Sequence, residues 1–346
     1  MRILKINFED QSVGVTFCIM EKPELLDDDE ESQVMSEVHL GCSPAHSGSP
    51  VISTYTIFQP SGVAVRKCFN LFKDHNESTC KENGICLDED GDLVLPRRRG
   101  SCFTVTIRHT ILSSLANVGL QVWKAELLLA DFVLHKMLTS SDLDRITAIE
   151  LGAGTGLAGM LLAHTASRVF LTDRGAEILE NCERNVEINS KVVNYLSSVY
   201  IRELDWFASW PPTKNENTDQ RKRYSWAPSE VAEAEMASVL LAADVIYSDK
   251  LSDALFSTLQ KLMSVGKEKA LYLALEKRYN FCLDDLDVVA NGYSHFLSFL
   301  KGENGNGFKP CFSGKKIDLS AIPQYVEYDR GNHMEIWKIT YHKTKK

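Results

Sequence analysis

One short segment, residues 150–157 (ELGAGTGL), constrains the fold of this chain more than any other. It follows an apolar run that predicts a buried strand and precedes a helical pattern. Gly152, Gly154 and Gly156 let the backbone turn tightly and approach a ligand closely, because no β-carbon stands in the way. The first N–H groups of the following helix would face the polar end of such a ligand. The segment predicts either a ligand-binding loop or a plain strand-to-helix turn.

Short apolar runs alternate with helical patterns from about residue 100 onward. The apolar runs predict strands at 103–107, 146–151, 169–173, 199–204, 239–246, 270–275, 317–322 and 335–341. The helical patterns lie at 120–133, 156–165, 175–190, 250–264 and 283–300. Such alternation is typical of an α/β fold with a doubly wound, mostly parallel sheet, here ending in an antiparallel edge pair. Residues 211–237 interrupt the alternation and predict a surface loop or an irregular helix near the substrate site.

The first hundred residues predict a β-rich N-terminal region (1–100) attached to one larger domain (101–346). Residues 14–17 and 51–58 are rich in β-branched and aromatic residues, as strands are. Five adjacent acidic residues begin at Asp27, so residues 23–50 predict a mobile loop. A second polar loop is predicted at 73–93. Residues 97–99 (RRR) are either a solvated turn, which is the commoner case, or a nuclear-localisation element.

Composition excludes several classes of function. A net charge of −9 disfavours direct nucleic-acid binding and is compatible with a basic protein partner. The nine cysteines include no Cys-x-x-Cys pair, which predicts free thiols in a reducing compartment and no metal site. The chain has neither a secretory signal nor an apolar run of roughly 18 residues, so we expect an intracellular protein without a membrane span. No heptad or exposed apolar stripe stands out, and we expect a monomer.

Three aspartates follow successive predicted strands. Asp173, Asp205 and Asp244 end the second, third and fourth strands. Because the carboxyl ends of parallel strands meet at one edge of the sheet, these side chains are expected to border the ligand crevice. A carboxylate there can accept both hydroxyls of a ribose, although an aspartate after a strand can also be a helix N-cap.

The motifs together resemble the family-16 seven-β-strand methyltransferases, many of which methylate protein lysines. They are residues 119–123 (GLQVW), 150–157, Asp173, Asn185 with Asn189, 204–206 (LDW) and 244–247 (DVIY). With its β-rich N-terminal extension and residues 244–249 (DVIYSD), the chain is most similar to one member of that family. The resemblance covers about residues 100–341. It implies a Rossmann-like sheet of seven strands and S-adenosyl-L-methionine as cofactor.

The resemblance also implies a role for each motif. The methionine part of the cofactor would contact Trp123 and the loop of Gly152, Gly154 and Gly156, and Glu150 would also bind the cofactor. Its ribose would bind Asp173, and its adenine would lie at Asp205 and Trp206.

The catalytic residues implied by the resemblance are Asp244 and Tyr247, which would line the channel where a lysine amine meets the methyl group. Asp244 would also contact the cofactor. Residues 276–278 are either part of the same rim or a solvated charge cluster. Trp123 could equally be an ordinary core residue.

The resemblance implies a protein-lysine N-methyltransferase that acts on a non-histone, nuclear protein, in the nucleus or the cytoplasm. The partners expected are a lysine-containing substrate, such as a basic nuclear nucleic-acid-binding protein, and chaperones. The amine would lose its proton to water before attack, because its ordinary pKa is about 10.4 and neither catalytic residue is a strong base. No dedicated base and no metal are expected.

Two alternatives stay open. One is a methyltransferase that acts on RNA or a small molecule, although residues 244–247 lack the paired prolines of many base-methylating enzymes. The other is a non-catalytic, cofactor-binding scaffold. A nicotinamide oxidoreductase is disfavoured, because Leu157 occupies the position of the third glycine of the dinucleotide fingerprint.

Overall fold

The computed structural model describes residues 33–39, 49–60, 63, 66, 102–191, 198–212, 223–282, 287–300 and 311–342, with only the backbone described for 280–289. Its strands are β1 (Gln33–Met35), β2 (Val51–Phe58), β3 (Cys102–His109), β4 (Leu112–Ser114), β5 (Thr147–Leu151), β6 (Arg168–Asp173), β7 (Ser198–Glu203), β8 (Val239–Ala243), β9 (Ala270–Glu276), β10 (Asn280–Cys282), β11 (Asp287–Val289), β12 (Phe312–Ile317) and β13 (Met334–Tyr341). Its α-helices are α1 (Lys124–Thr139), α2 (Leu157–Leu162), α3 (Ala176–Ile188), α4 (Pro228–Glu235), α5 (Asp249–Ser264) and α6 (Asn291–Leu300). Three short 3-10 helices complete the description: Glu37–His39, Leu115–Leu120 and Leu319–Ala321.

Seven strands form the central sheet, in the order β12-β13-β9-β8-β5-β6-β7. Strands β5 to β9 run parallel, whereas β13 is antiparallel to both β9 and β12. The predicted α/β class and the mostly parallel seven-stranded sheet are confirmed. The order of the strands changes direction at β5, whose neighbours are β6 and β8. Ligands bind in the crevice outside the carboxyl ends of the strands at such a switch point.

The core lies on both faces of the sheet because its strands are buried on both sides. In β5, Ala148 belongs to the cluster packed under α1 and α2, whereas Ile149 belongs to the cluster under α5 and α6. Helix α1 is mostly apolar and is buried continuously from Ala125 to Leu134, with Leu127, Leu128 and Leu129 fully buried. Burial of this kind is expected of a helix enclosed on every side.

The buried Asp131 of α1 anchors the chain that precedes β13. Its Oδ1 accepts the backbone N–H groups of Tyr325 (2.7 Å) and Val326 (3.1 Å). Its Oδ2 accepts the hydroxyl of Tyr328 (2.9 Å) and Nη2 of Arg330 (2.7 Å). Burial raises the pKa of Asp131, although these four donors oppose the rise. The network satisfies a carboxylate that would otherwise be costly to bury.

The N-terminal region is joined to the larger domain through an antiparallel pair of strands. Strand β2 pairs with β3 in antiparallel register from Val51↔His109 to Phe58↔Cys102. The predicted strand at 51–58 is therefore confirmed, and the pairing crosses the domain boundary predicted at residue 100. Ile57 is fully buried in the core of the larger domain.

The second edge of β3 is held by side chains of α3. Asn185 Oδ1 accepts the N–H of Arg108 (2.7 Å), and its Nδ2 donates to the carbonyl of the same residue (3.0 Å). Asn189 does the same with Thr106, accepting its N–H at 2.9 Å and donating to its carbonyl at 2.7 Å. Asn181 donates to the carbonyl of Arg108 as well, at 2.9 Å. The three asparagines are spaced four residues apart, so they lie on one face of the helix.

Several predicted boundaries are wrong, each for a local reason. The predicted helix at 120–133 begins only at Lys124, because the N–H of Gln121 turns back to Val118 O and closes a 3-10 helix. The predicted strand at 317–322 is instead β12, which ends at Ile317. The side chain of Asp318 then caps the 3-10 helix Leu319–Ala321.

Two further segments differ from the sequence predictions. Among the described residues of 283–300, Asn291–Leu300 is helical, whereas Asp287–Val289 pairs with β10. Residues 211–237 were predicted to form a surface loop or an irregular helix; within them, Pro228–Glu235 forms a regular helix that starts with proline at its first position. Proline suits that position because its missing N–H would have no partner in the helix.

The mobile loop predicted at 23–50 is wrong for residues 33–39. They form β1, which pairs with β4, and a 3-10 helix. This pairing depends on residues eighty positions away, which local composition does not reveal.

The prediction of free thiols holds for Cys182 and Cys311 but is wrong for Cys102, which is disulfide-bonded. The features predicted at 14–17, 73–93 and 97–99 lie outside the described residues.

We predict that Asp131→Asn lowers the free energy of unfolding by roughly 3 kcal/mol, because it removes the fully buried carboxylate that pairs with the half-buried Arg330. Urea unfolding followed by circular dichroism measures the change. The matched control is Asp142→Asn, since the Asp142 side chain is 63% exposed and forms its ion pair with Lys136 at the surface. We expect this control to stay within about 0.5 kcal/mol of wild type. Equal stabilities for the two variants would contradict the anchoring role.

Candidate functional site

The glycine segment forms the loop between β5 and α2. Gly152, Gly154 and Gly156 have φ angles of 66°, 52° and 84°, which lie in the left-handed region that other residues rarely adopt. Three such angles within five residues turn the chain sharply from strand to helix. The sequence prediction of a strand–loop–helix unit is thus confirmed.

Close packing around the loop leaves no space for side chains at these positions. A β-carbon on Gly152 would lie 2.9 Å from Val245 Cγ1 and 3.4 Å from Trp206 Cη2. A β-carbon on Gly154 would lie 3.1 Å from the carbonyl oxygen of Gly119. The loop is therefore bordered by the residues after β7 and β8 and by the turn before α1, all of which carry predicted motif residues.

Asp173 connects the loop to the end of β6. Its Oδ2 accepts the N–H of Gly154 (2.8 Å), and its Oδ1 accepts the N–H of Arg174 (2.7 Å). Desolvation raises the pKa of Asp173 to about 6, against the lowering effect of these two bonds. A carboxylate has about four acceptor positions, so each oxygen can accept one more donor. The geometry fits the predicted contact with two ribose hydroxyls.

Two buried carboxyl groups support the loop from below. Glu126 Oε1 accepts the hydroxyl of Thr155 (2.5 Å) and the N–H of Leu157 (3.2 Å). Glu150 Oε2 accepts the N–H of Gly159 at 2.9 Å. Burial raises the pKa of Glu126 to about 7 and that of Glu150 well above its ordinary value.

This arrangement differs from the predicted use of the helix N-terminus. The N–H groups of Leu157 and Gly159 are bonded to protein carboxyl groups and do not face outward as free donors. Glu150 is 2% exposed and lies beneath α2, so its described contact supports the loop. A cofactor contact of Glu150 stays a prediction.

Asp205 and Trp206 follow β7 on the other side of the loop. Asp205 accepts the N–H of Phe207 (3.0 Å) and pairs with Nε of Arg174 at 3.4 Å. The indole ring of Trp206 borders Gly152, and its Nε1 is buried without a hydrogen-bond partner. A buried donor without a partner costs free energy unless a ligand or a water accepts from it.

Asp244 follows β8 and is joined to Arg278, which follows β9. Asp244 is a non-glycine residue with a φ of 54°, and its N–H donates to Ala274 O at 2.9 Å. Its side chain is 8% exposed, and its Oδ2 pairs with Nη2 of Arg278. The guanidinium lies over the ring of Trp123, 4.9 Å from the centroid. Asp244, Arg278 and Trp123 thus form one connected group.

Two more carboxylates face the same guanidinium. Glu37 Oε1 lies 3.1 Å from Arg278 Nη2, and the charge of Glu276 also acts on Arg278. Burial lowers the pKa of Arg278, but the negative charges of Asp244, Glu37 and Glu276 outweigh this and hold it above its ordinary value. Desolvation raises the pKa of both Glu37 and Glu276. The second oxygen of each, Oε2, is buried without a hydrogen-bond partner.

Tyr247 lies at the open side of this group. It is 43% exposed. Desolvation, followed by the charges of Asp173 and Asp244, raises its pKa to about 12. The phenol therefore stays neutral at physiological pH, and it cannot serve as a base there.

The structure brings the predicted site residues to one edge of the sheet. Hydrogen bonds, packing and charge effects connect the glycine loop with Asp173, Trp206, Asp244 and Tyr247. These residues fit S-adenosyl-L-methionine, because the left-handed glycine loop lies at the switch point of the sheet, the carboxylate of Asp173 has free acceptor positions, and the indole N–H of Trp206 lacks a partner. The part of the chain that the structure describes holds no cluster of three or more potential metal-binding His, Cys, Asp or Glu side chains. Nor does any helix described there have the length and apolar character that crossing a membrane requires.

Sequence reasoning missed three contributors to the site. Glu126 lies in an otherwise apolar helical run, and an isolated acid in such a run is a signal of a buried, bonded carboxyl group. Gln121 lies in the motif at residues 119–123, but no role was predicted for it; its side chain bonds to the backbone of Val34 and Ser36. Glu37 carried no signal, because it lies a few residues beyond a run of acidic residues.

The comparisons with known proteins agree with this geometry. Residues 106–220 match a family model described as lysine methyltransferase. Methyltransferase-like protein 22 of Mus musculus is 38% identical over 262 residues, which cover 74% of this chain and 64% of the mouse protein. Its Homo sapiens counterpart is 37% identical over 261 residues, covering 74% of this chain and 62% of the human protein. The predicted similarity to one member of the family is confirmed, and that member is methyltransferase-like protein 22.

A more distant relative is the protein-lysine N-methyltransferase rrg1 of Schizosaccharomyces pombe. It is 29% identical over 185 residues, which cover 51% of this chain and 54% of the yeast protein. The chain spans less than two thirds of the length of each of these three relatives.

We predict that Glu126→Gln flattens the pH dependence of stability between pH 5 and 8. The folded pKa of about 7 exceeds the ordinary value of 4.5, so the folded state binds more protons between them. The free energy of unfolding of the wild type then falls as the pH rises through this range, by roughly 3 kcal/mol from this group. Glutamine keeps an acceptor oxygen for Thr155 and Leu157 but does not ionise.

Urea unfolding at pH 5 and pH 8 tests this prediction. Glu268→Gln is the matched control, because Glu268 is exposed in the loop before β9, at the amino edge of the sheet. The control should keep the slope of the wild type. An unchanged slope in Glu126→Gln would show that Glu126 does not titrate in this range.

Proposed function

We propose that this protein transfers methyl groups from S-adenosyl-L-methionine to lysine side chains of a protein. Residues 106–220 match a family model described as lysine methyltransferase, which supports the proposal. The observation that carries the proposal is the glycine loop of left-handed residues bonded to Asp173, at the switch point of a parallel sheet. The family match supports lysine as the acceptor. The match runs from within β3 to beyond β7, and it includes all the residues predicted to bind the cofactor except Asp244.

The cofactor would supply an activated methyl group on a sulfonium, and the chain would supply alignment and desolvation. The loop and Asp173 would fix the nucleoside end. Trp206 would accommodate the adenine, with its indole N–H available to a ligand acceptor. In-line displacement by an amine needs little other chemistry from the protein, so correct positioning is expected to provide most of the rate enhancement.

The surroundings of Asp244 suit a cationic acceptor. Asp244 and Glu37 share the guanidinium of Arg278, Glu276 lies within reach of the charges of Lys124 and Arg278, and the Oε2 atoms of Glu37 and Glu276 are buried without partners. An arriving ammonium group would therefore meet a surplus of negative charge. Tyr247 is neutral and partly exposed beside Asp244, so its ring can pack on the alkyl stem or the cationic head of a lysine. The proton of the amine would pass to water before attack.

The partner and the location are part of the same proposal. We expect a non-histone, nuclear substrate protein with a basic surface, since the net charge of −9 favours a basic partner. Residues 97–99 (RRR) support a nuclear location, and chaperones are further candidate partners. The protein would act as a monomer.

Asp173 is predicted to control cofactor affinity. Asp173→Asn should weaken binding roughly 100-fold, because hydrogen bonds to a charged acceptor contribute more than those to a neutral one. In the wild type, affinity should fall as the pH drops through about 6, where the Asp173 carboxylate becomes protonated, and the variant should lack this dependence. Isothermal titration calorimetry at pH 5 and 7.5 measures both effects. Asp142→Asn is the control, and equal affinities for the two variants would exclude the ribose contact.

Methyl transfer itself is tested with tritiated S-adenosyl-L-methionine and a cell extract resolved on a gel. We expect a labelled protein band, with the label on lysine by mass spectrometry, which is lost in Asp244→Asn and kept in Glu268→Gln. Label confined to RNA or to small molecules would contradict the protein acceptor. Cofactor binding without any label would favour the non-catalytic scaffold.

A further inference from the structure

We infer that residues 33–39 are part of the active site, and that Glu37 is a positioning residue that acts on Asp244 through Arg278. The inference rests on the proposed function and deepens it, because it assigns to that site a residue from the N-terminal region. Glu37 lies more than 200 positions from its two partners in the chain. Neither the family match at 106–220 nor any motif includes it.

The segment is fixed to the larger domain by backbone pairing. Strand β1 is antiparallel to β4, with Val34 opposite Ser113. The buried side chain of Gln121 reinforces the pairing from the neighbouring turn. Its Oε1 accepts the N–H of Ser36 (2.6 Å), and its Nε2 donates to Val34 O (2.8 Å) and to Ser113 Oγ (2.6 Å). One amide therefore ties together β1, β4 and the turn that leads to Trp123.

A second attachment holds the far end of the segment. The ring of His39 stacks on that of His109 at the end of β3, with centroids 4.6 Å apart and an interplanar angle of 5°. Burial, followed by the neighbouring His109, lowers the pKa of His39 to about 4, and burial lowers the pKa of His109. Both rings are therefore neutral at physiological pH and stack without charge repulsion.

Glu37 lies between these two attachments and points to Arg278. Arg278 Nη2 is shared by Glu37 (3.1 Å) and Asp244, while the guanidinium plane contacts the ring of Trp123. Without Glu37, the guanidinium would have Asp244 as its remaining direct ion-pair partner. It could then turn with the Asp244 carboxylate away from the channel. With Glu37 present, the guanidinium of Arg278 keeps its orientation on the ring of Trp123, and the carboxylate of Asp244 keeps its position.

A purely structural role for Glu37 predicts a different outcome. The pairing of β1 with β4 and the contacts of Gln121 dock the segment without the Glu37 side chain. The Oε2 of Glu37 is buried without a partner, which costs folding free energy. Glu37→Gln should therefore leave the melting temperature unchanged or raise it, while it lowers the rate of transfer. A structural residue would lower both together.

The test compares the wild type with Glu37→Gln, Glu37→Asp, Arg278→Gln and the double variant Glu37→Gln/Arg278→Gln, with Glu268→Gln as control. We expect Glu37→Gln to lower kcat roughly tenfold, which corresponds to the loss of one charge-assisted contact. Calorimetric affinity for S-adenosyl-L-methionine and the melting temperature should not fall. Glu37→Asp should recover part of the rate. The double variant should be no slower than Arg278→Gln, because both residues act as a unit.

Three kinetic results would each overturn the inference: wild-type kcat in Glu37→Gln, losses that multiply in the double variant, or a loss of rate that follows a lower melting temperature. Hydrogen–deuterium exchange provides a readout that needs no activity. Glu37→Gln should increase exchange in peptides covering residues 240–247 and 274–279 while residues 33–36 stay protected. If the wild type transfers no methyl group, the proposed function fails, and unchanged exchange would overturn the inference separately.

Discussion

The amide groups of three asparagines on α3 hold β3 in place, and much of the site depends on that strand. Asn185 and Asn189 imitate a neighbouring strand, since each both donates to and accepts from the backbone of β3. Asn185 also donates to the carbonyl of Thr155 in the glycine loop, at 3.0 Å. Buried backbone groups need partners, so these amides determine where β3 can lie relative to the loop. The position of β3 in turn determines where its partner β2, its last residue His109 and the following strand β4 lie.

Acidic groups surround the site in two different states. Beneath the glycine loop, Glu126 and Glu150 are buried, and desolvation raises the pKa of both; each accepts hydrogen bonds from the loop or from the start of α2. At the channel, Asp244 and Glu37 share the cation of Arg278. The first arrangement shapes the loop through hydrogen bonds to its N–H and O–H groups. The second concentrates charge where a lysine would arrive.

The sequence predicted the parts of the fold that follow from local patterns. The seven-stranded sheet, the glycine loop and the aspartates after β6, β7 and β8 were found because strand periodicity and glycine spacing are local signals. The parts it missed depend on distant partners. Residues 33–39 looked like a loop, since their pairing with β4 and their contacts with Gln121 and Arg278 leave no mark on composition.

The boundary errors have the same origin. The strand predicted at 317–322 was displaced by the capping side chain of Asp318. The helix expected from residue 120 was delayed by a backbone bond at Gln121. In both cases a single hydrogen bond outweighed a plausible apolar periodicity. Cys102 shows the limit in another way, because spacing alone does not reveal whether two β-carbons come within the roughly 4 Å that a disulfide requires.

The pairing of β2 with β3 has a consequence for where this protein can be divided. A chain that begins at residue 101 would contain the whole seven-stranded sheet and the glycine loop. It would nevertheless leave one edge of β3 without partners over eight residues, and it would remove Ile57 from the core. An unpaired edge of this length, with Phe103, Val105 and Ile107 alternating along it, is a template for association with other chains. The smallest fragment that folds without an exposed edge at β3 is therefore expected to extend to the N-terminal side of residue 51.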